Sequence, residues 1–248
     1  MMTPSVSFQS TLYGRVKKCK DSVCAILGLG RRLLLVQGQQ VCAPGPFGRV
    51  AASPQTRVKN EMNDTKQPYP TVVQTRRFVL SPLRATHAER MFEGLSDERG
   101  YDFIPEMPPA NVGALADRYT RLEGQVSRDG QEVWLNWVIG SASEPTLYGH
   151  VQFTIRPAEQ RAFVAYFVFP RYQRQGIASE TVAAALSSVA ATFQVTQIDA
   201  EIDTRNAASI ALVESLGFVR TRVVEHADEF KGAVSDEYHY SFHVSGKR

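Results

Sequence analysis

An apolar strand that runs through a short basic loop into a long helix restricts this fold more than any other feature. The predicted strand covers residues 161–169 and is apolar on both faces, with Phe163, Ala165 and Phe167 on one and Val164, Tyr166 and Val168 on the other. A strand with two apolar faces must be covered on both sides, which indicates the centre of an α/β sheet. The following residues are rich in alanine and carry an apolar stripe that predicts a helix over 176–193: Val182, Leu186, Val189 and Phe193.

The loop between this strand and helix contains the residues with the clearest chemistry. It includes Arg171 and Arg174 and ends at Gly176, where the helix begins. The first turn of a helix has free backbone N–H groups and the positive end of the helix dipole, so the junction predicts an anion site suited to a pyrophosphate. Gly176 lets the backbone approach a phosphate closely, and Ala178 keeps the first turn small. The alternative interpretation is an ordinary helix start beside two solvated arginines.

The rest of residues 75–244 has the pattern of a mixed α/β fold. Apolar residues that alternate with polar ones predict strands around Phe78 and at 132–139, 147–155, 196–203, 218–225 and 237–244. Apolar residues at helical spacing predict helices at 85–95, 110–122 and 206–216. Strands and helices that are interspersed in this order predict an α/β or α+β mixed sheet.

The first 60 residues differ from the rest in charge. They contain nine of the 28 Lys and Arg residues and one of the 25 acidic residues, so their net charge is +8 and that of the remainder is −5. Five prolines in residues 42–70 argue against regular elements there. We therefore expect a disordered basic extension at 1–61, a linker at 62–74 and one domain at 75–248. All three cysteines lie in the extension and lack the spacing of zinc ligands: Cys19, Cys24 and Cys42.

The extension also bears on location and partners. Its apolar run at 25–30 is interrupted by Arg31 and Arg32, far short of the roughly 20 apolar residues that span a membrane. Organelle targeting by residues 1–60 is an alternative, but we expect a cytoplasmic protein without a membrane partner. The acidic body argues against nucleic-acid binding. Monomer and homodimer both remain open.

Two spaced motifs in the body resemble those of the GNAT superfamily of acyl-CoA-dependent N-acetyltransferases. Gln173-x-x-Gly176-x-Ala178 matches the Gln/Arg-x-x-Gly-x-Gly/Ala signature at the predicted strand-to-helix junction. Asn206-x-x-Ser209 and the tripeptide 216–218 are similar to the branch of the RimJ and RimL ribosomal-protein N-terminal acetyltransferases. The resemblance covers about residues 75–244 and implies a central, largely antiparallel mixed sheet flanked by helices.

The resemblance implies direct transfer of an acetyl group from acetyl-CoA to a primary amine, without a covalent enzyme intermediate and without a metal. We expect a protein N-terminal amine as the acceptor first, and a small amine such as an antibiotic or a polyamine second. A third interpretation is a GNAT fold that binds coenzyme A without turnover. It arises because Val213 occupies a position where many family members have a proton-donating tyrosine.

The resemblance also implies roles for individual residues. The backbone N–H groups of Phe167, Val168 and Phe169 are expected to bind the pantetheine arm and polarise the thioester carbonyl. Asn206 is expected to reach the pantetheine and Ser209 to protonate the departing thiolate, their alternatives being a helix cap and a first-turn polar residue. The residues expected to bind the pyrophosphate are consecutive: Arg174, Gln175, Gly176, Ile177, Ala178 and Ser179. Gln173, which precedes them in the motif, is expected to be a further cofactor-binding residue.

Neither the residue pattern nor the family resemblance identifies the general base. Glu201 is the first candidate, followed by Asp203 and His150, although each also suits an exposed surface. Acidic residues near the first two helices, and in a loop expected between the last two strands, predict a mouth that attracts a cationic amine: Glu93, Asp97, Glu98, Asp102, Glu106, Asp228, Glu229, Asp236 and Glu237.

Overall fold

The computed structural model describes residues 72–244, which form eight strands and four α-helices. The strands are β1 (Val73–Gln74), β2 (Phe78–Pro82), β3 (Val133–Ser141), β4 (Leu147–Arg156), β5 (Arg161–Val168), β6 (Gln197–Asp203), β7 (Val219–Phe230) and β8 (Ala233–His243). The helices are α1 (Ala88–Leu95), α2 (Val112–Leu122), α3 (Ile177–Phe193) and α4 (Ala207–Ser215). The predicted helix 85–95 begins with a 3-10 turn at Ala85–His87, and α1 follows it.

All eight strands belong to one sheet, in the order β1-β2-β3-β4-β5-β6-β8-β7. Every neighbouring pair within residues 72–244 is antiparallel except β5 and β6, which run parallel because α3 carries the chain back across the sheet. The prediction of a mixed, largely antiparallel sheet flanked by helices is therefore confirmed.

Alternation along the strands sends core side chains to two faces of the sheet. On the first, which we call the α3 face, Phe153 and Ile198 pack in one apolar cluster with Val189 of α3. On the second, the α1 face, Val138 packs in another cluster with Met91 of α1. Both faces of the sheet are thus covered, as the apolar strand 161–169 requires.

The strands β5 and β6 separate over most of their length. Within the described chain, their pairing is confined to Arg161–Phe163 against Gln197–Asp199. The later residues, 164–168 and 200–203, stand on opposite sides of a gap in the sheet. Because α3 starts just beyond this gap, the predicted anion loop lies at the opening of the gap.

The final hairpin is longer than predicted. The prediction of an acidic loop between strands 218–225 and 237–244 is therefore wrong. The strands β7 and β8 run on to a two-residue turn, Lys231-Gly232. Both turn residues have positive φ angles, 51° and 75°, which match the twist of a tight hairpin. Most of β7 is exposed, so it lacks the apolar alternation by which a strand is recognised in sequence.

The folded region starts before the expected domain boundary at residue 75. Val73 and Gln74, assigned to the linker 62–74, form β1 and pair with β2. The predictions for the extension 1–61 and for most of the linker lie outside the described residues. Between residues 72 and 244, no helix has the length and apolar character that a membrane span requires.

Candidate active site

The gap between β5 and β6 opens into a cavity of about 420 Å³. Its wall combines the end of β5, the following loop, the first turn of α3, the end of β6 and the start of α4, and is completed by Arg99–Ile104. Of the predicted site residues, the following line it: Phe167, Val168, Gln173, Arg174, Gly176, Ile177, Ala178, Ser179, Glu201, Asn206 and Ser209. Phe169 and Gln175 lie outside the lining. Residues from three stretches of the chain, 99–104, 164–179 and 200–212, are therefore brought together as one site.

The anion loop has the backbone geometry that the sequence indicated. Gly176 is the N-cap of α3 with φ 72°, a left-handed conformation that glycine adopts without strain. Among the described residues, no side chain caps this helix end. The N–H groups of the first turn, at Ile177, Ala178 and Ser179, are therefore available to an anion, and the helix dipole favours it.

Arg77, in the bend between β1 and β2, supports this loop through its side chain, a role that sequence reasoning missed. Its Nη1 donates to the Gln175 carbonyl oxygen at 3.2 Å, and its Nε donates to Glu180 in the first turn of α3 at 2.7 Å. Burial alone raises the pKa of Glu180, but the hydrogen bonds from Arg77 outweigh it and lower the pKa to about 2. No local signal links these residues, because Arg77 and Glu180 are 103 positions apart.

Backbone groups of β5 face the gap at every second residue. The N–H of Phe169 donates to the Tyr148 carbonyl of the neighbouring strand β4 at 2.8 Å, so it is directed away from the gap. By the alternation of an antiparallel pair, Phe167 also faces β4, whereas Val168 faces the gap. The Val168 carbonyl accepts from Gln173 Nε2 at 3.1 Å on that side. Three backbone N–H groups were predicted to bind acetyl-CoA. Of these, the N–H of Val168 is the one that is directed into the gap.

Ser209 is joined to a second hydroxyl that the sequence analysis did not select. Its Oγ lies 2.8 Å from the phenol oxygen of Tyr166 on β5, and both residues line the cavity. Burial raises the pKa of Tyr166 to about 12, so the phenol stays protonated at neutral pH. Asn206 adopts the cap role named as its alternative, with its Oδ1 accepting from the Ser209 N–H at 3.1 Å.

The three candidates for general base have different surroundings. Glu201 lines the cavity, and its side chain is 18% exposed. Asp203 is buried; burial raises its pKa, but hydrogen bonds from Arg205 and Ser235 outweigh this and lower it. His150 is stacked on Phe167, and burial lowers its pKa to about 3. His150 lies outside the cavity lining. Asp203 lines it, but its carboxylate already accepts hydrogen bonds from two side chains, so Glu201 is the candidate that the geometry favours.

The expected acidic mouth is neutralised in part. Glu93 pairs with Arg171 at 2.6 Å, and Asp97 pairs with Arg99 at the same distance. Glu106 is shielded from water, which raises its pKa. These three acids therefore contribute less to long-range attraction of a cation than the sequence suggested. The acids expected in a loop are strand residues of the final hairpin: Asp228, Glu229, Asp236 and Glu237.

The cavity reaches both faces of the sheet. Tyr166 packs with the α3-face cluster, and Ser209 lies on α4, whose Val213 belongs to that cluster. Glu201 alternates with Ala200 and with other β6 residues of that same cluster, so its side chain projects toward the α1 face. A proton donor and a proton acceptor therefore flank one gap from opposite sides.

This fold and site define an acyl-transferring enzyme with an anion loop for the donor. The family model for the "Acetyltransferase (GNAT) domain" matches residues 77–219, more than half of the chain. The chain therefore belongs to the GNAT family of acetyltransferases, and the sequence prediction of that family is confirmed.

Individual relatives agree with the family. The chain is 27% identical over 164 residues to the "Probable N-acetyltransferase YjcK" of Bacillus subtilis (strain 168), covering 62% of this chain and 87% of that protein. Its fold is similar to that of RimL, a ribosomal L7/L12 alpha-N-protein acetyltransferase solved with coenzyme A, with TM-score 0.61 and 16% identity over 70% of this chain and 98% of that one. It is also similar to the microcin C7 self-immunity acetyltransferase MccE solved with acetyl-CoA and AMP, with TM-score 0.61 and 16% identity over 68% and 94% of the two chains.

Proposed function

We propose that this protein transfers an acetyl group from acetyl-CoA to a primary amine, and that the acceptor is a protein N-terminal amine. The observation that carries the proposal is the gap between β5 and β6, which places a hydroxyl pair on the α3 face and a carboxylate on the α1 face. A tetrahedral intermediate in this gap would meet its proton donor and its base on opposite sides, as a direct displacement requires.

Acetyl-CoA fits the donor side of the cavity. The uncapped start of α3 would bind the pyrophosphate through the N–H groups of residues 177–179, with Arg174 adding positive charge. The exposed edge of β5 would pair with the pantetheine arm, and the Val168 N–H would polarise the thioester carbonyl. Relatives that were solved in complex with acetyl-CoA or coenzyme A support this choice of donor.

The chemistry divides between two groups of residues. Glu201 would remove a proton from the acceptor ammonium, and the resulting amine would attack the thioester carbon from the α1 face. The pair of Tyr166 and Ser209 holds two O–H protons and uses one for its mutual bond. Ser209, with its hydroxyl oriented by Tyr166, would give a proton to the departing thiolate. The tyrosine absent at Val213 is thus replaced by the Ser209 hydroxyl of the same helix, which the Tyr166 phenol of β5 orients.

The acceptor side favours a chain terminus over a small amine. The segment that closes the cavity on this side carries exposed apolar residues, Phe103 at 37% exposure and nearby Met107 at 65%. Such residues suit the backbone and side chains of a peptide better than a polycation. The RimL relative, which acts on a protein N-terminus, supports this choice, whereas MccE supports a small-molecule acceptor.

A titration with acetyl-CoA followed by turnover assays tests the proposal. The wild-type chain should bind acetyl-CoA in calorimetry, and Gly176→Glu should abolish binding by placing bulk and negative charge in the anion loop. The matched control is Gly130→Glu, since Gly130 has φ 71° and open space around it but is not part of the cavity lining. Peptides that begin with Ala or Ser should then be acetylated faster than spermidine or an aminoglycoside.

Each outcome decides between the candidates. Faster turnover of the small amines would replace the protein acceptor, and binding without turnover of any amine would leave a coenzyme A-binding module. A folded wild-type chain without affinity for acetyl-CoA would contradict the proposed donor.

A further inference from the structure

A cluster of side chains at the edge of the cavity includes Glu201. Its other members have no role in the chemistry proposed above. His239 of β8 lies directly opposite Glu201 in the register of β6 and β8. The His239 Nδ1 is 3.5 Å from Glu201 Oε1, and its Nε2 is 3.3 Å from Glu237 Oε2. The imidazole therefore stands between two carboxylates, with one ring nitrogen facing each.

This arrangement suits a ring that gains and loses a proton. Charged groups face His239 from three strands: Glu201 of β6, Glu237 of β8 and Arg222 of β7, whose Nη2 is 3.2 Å from Nδ1. The guanidinium can donate to the Nδ1 lone pair, and each carboxylate can accept one ring N–H.

The three ligating atoms of Glu201, Glu237 and His239 lie within 4.8 Å of one another, which is also compatible with a cation. The ring, however, divides its two nitrogens between the carboxylates, and a guanidinium already stands beside Nδ1. We therefore interpret the cluster as a chain of close polar contacts that leads away from the cavity.

The reaction needs such a chain. An ammonium and a thioester become an amide and a thiol, and one proton is released in excess. Of the two protons lost by the nitrogen, one ends on the thiol through Ser209, and the other must leave from Glu201. We propose, on the basis of the proposed function, that His239 is the positioning residue that takes this proton from Glu201 and passes it out past Glu237.

The step balances without any other reactant. The ammonium N–H bond breaks as the Glu201 carboxylate forms an O–H bond, and that proton then moves to His239 Nδ1. Glu201 is again a carboxylate, and the imidazolium is held by hydrogen bonds to Glu201 and Glu237. The proton on Nε2 then passes through the Glu237 carboxylate to water, since the Glu237 side chain is 23% exposed.

Replacing the imidazole by an amide tests the proposal. His239→Gln keeps a polar side chain that cannot take up and release a proton at neutral pH, so kcat should fall about tenfold while the affinity for acetyl-CoA stays unchanged. Added imidazole should restore the rate of this variant, a response that a merely structural role would not produce. The matched control is His243→Gln, an exposed residue on the same strand and face, which should change neither kcat nor the imidazole response.

A kcat within twofold of wild type in His239→Gln, or a loss that imidazole does not restore, would overturn the proposal. Should that variant not fold, Glu237→Gln decides: a fall in kcat of about threefold or more supports the proton exit, and a smaller change overturns it. Turnover by wild type together with an unimpaired His239→Gln rejects only this inference. Absence of turnover in wild type with every amine rejects the proposed function as well.

Discussion

The phenol oxygen of Tyr166 lies 2.8 Å from the hydroxyl oxygen of Ser209, joining β5 to α4 across the cavity. The two residues are 43 positions apart, and neither has the location of the tyrosine that many GNAT enzymes carry in this helix. At that location stands Val213, which is fully buried. The leaving-group side of the cavity therefore has a pair of hydroxyls, one from a tyrosine on a strand and one from a serine in the first turn of α4.

Tyr166→Phe removes the bond that orients the Ser209 hydroxyl. A hydrogen bond of this kind contributes about 1 kcal/mol, so kcat should fall by about three- to tenfold with little change in KM for acetyl-CoA. The combined variant with Ser209→Ala should cost less than the product of the two single losses, because the residues act as one unit. Steady-state kinetics measure this, with Tyr119→Phe as the control, a buried tyrosine outside the cavity lining. Fully multiplicative losses would show that the two hydroxyls act independently.

Arg77→Ala should weaken acetyl-CoA binding without a direct contact to it. The side chain holds the Gln175 carbonyl and Glu180, so its loss lets the anion loop depart from the geometry that aligns its N–H groups. We expect Kd to rise about tenfold, the effect of about 1.4 kcal/mol, with kcat at saturation nearly unchanged. Calorimetry of Arg77→Ala and of the exposed neighbour Arg76→Ala compares the two. Equal affinities in both variants would contradict the supporting role.

His150 should make the fold sensitive to mild acid. Burial lowers its folded-state pKa from 6.5 to about 3, so the unfolded chain binds a proton that the folded chain does not. The associated stability is present above pH 6.5 and is lost as the pH falls from there toward 3, amounting to about 2 kcal/mol by pH 5. Urea unfolding of wild type and of His150→Gln at pH 7.5 and pH 5 measures it. The variant should lose less stability between these values, and the exposed His243→Gln is the control for removing one imidazole. Identical losses in wild type and His150→Gln would refute the assignment.

Lys231 at the tip of the final hairpin should restrain the segment that closes the cavity. Its Nζ donates to the carbonyl oxygens of Tyr101 and Ile104, the second at 3.0 Å. Lys231→Met removes both bonds, so amide hydrogen exchange in residues 99–106 should speed up severalfold and KM for the acceptor should rise. Affinity for acetyl-CoA should stay the same, and Lys231→Arg should retain part of the restraint. Unchanged exchange in Lys231→Met would mean that the segment is held by other contacts.

The sequence by itself determined the local parts of this protein. The order of strands and helices, the strand-to-helix junction at Gly176 and the cap at Asn206 depend on neighbouring residues, whose periodicity and backbone preferences are visible in the chain. The two motifs were enough to indicate the family, because each lies within a few residues. The exceptions were β1, which is only two residues long, and the final hairpin, since an exposed edge carries no apolar alternation.

Only the tertiary structure decided which distant side chains meet. Tyr166 and Ser209, Arg77 and Glu180, and Glu201 and His239 come together through strand pairing and helix packing, and no spacing along the chain records such contacts. The tertiary structure also decided the surroundings of single side chains. The sequence shows His150 and Asp203 only as polar residues, whereas in the fold burial and hydrogen-bonded neighbours shift their pKa values. Local preference acts over a few residues, whereas the site is built by the free energy of packing a whole sheet between its helices.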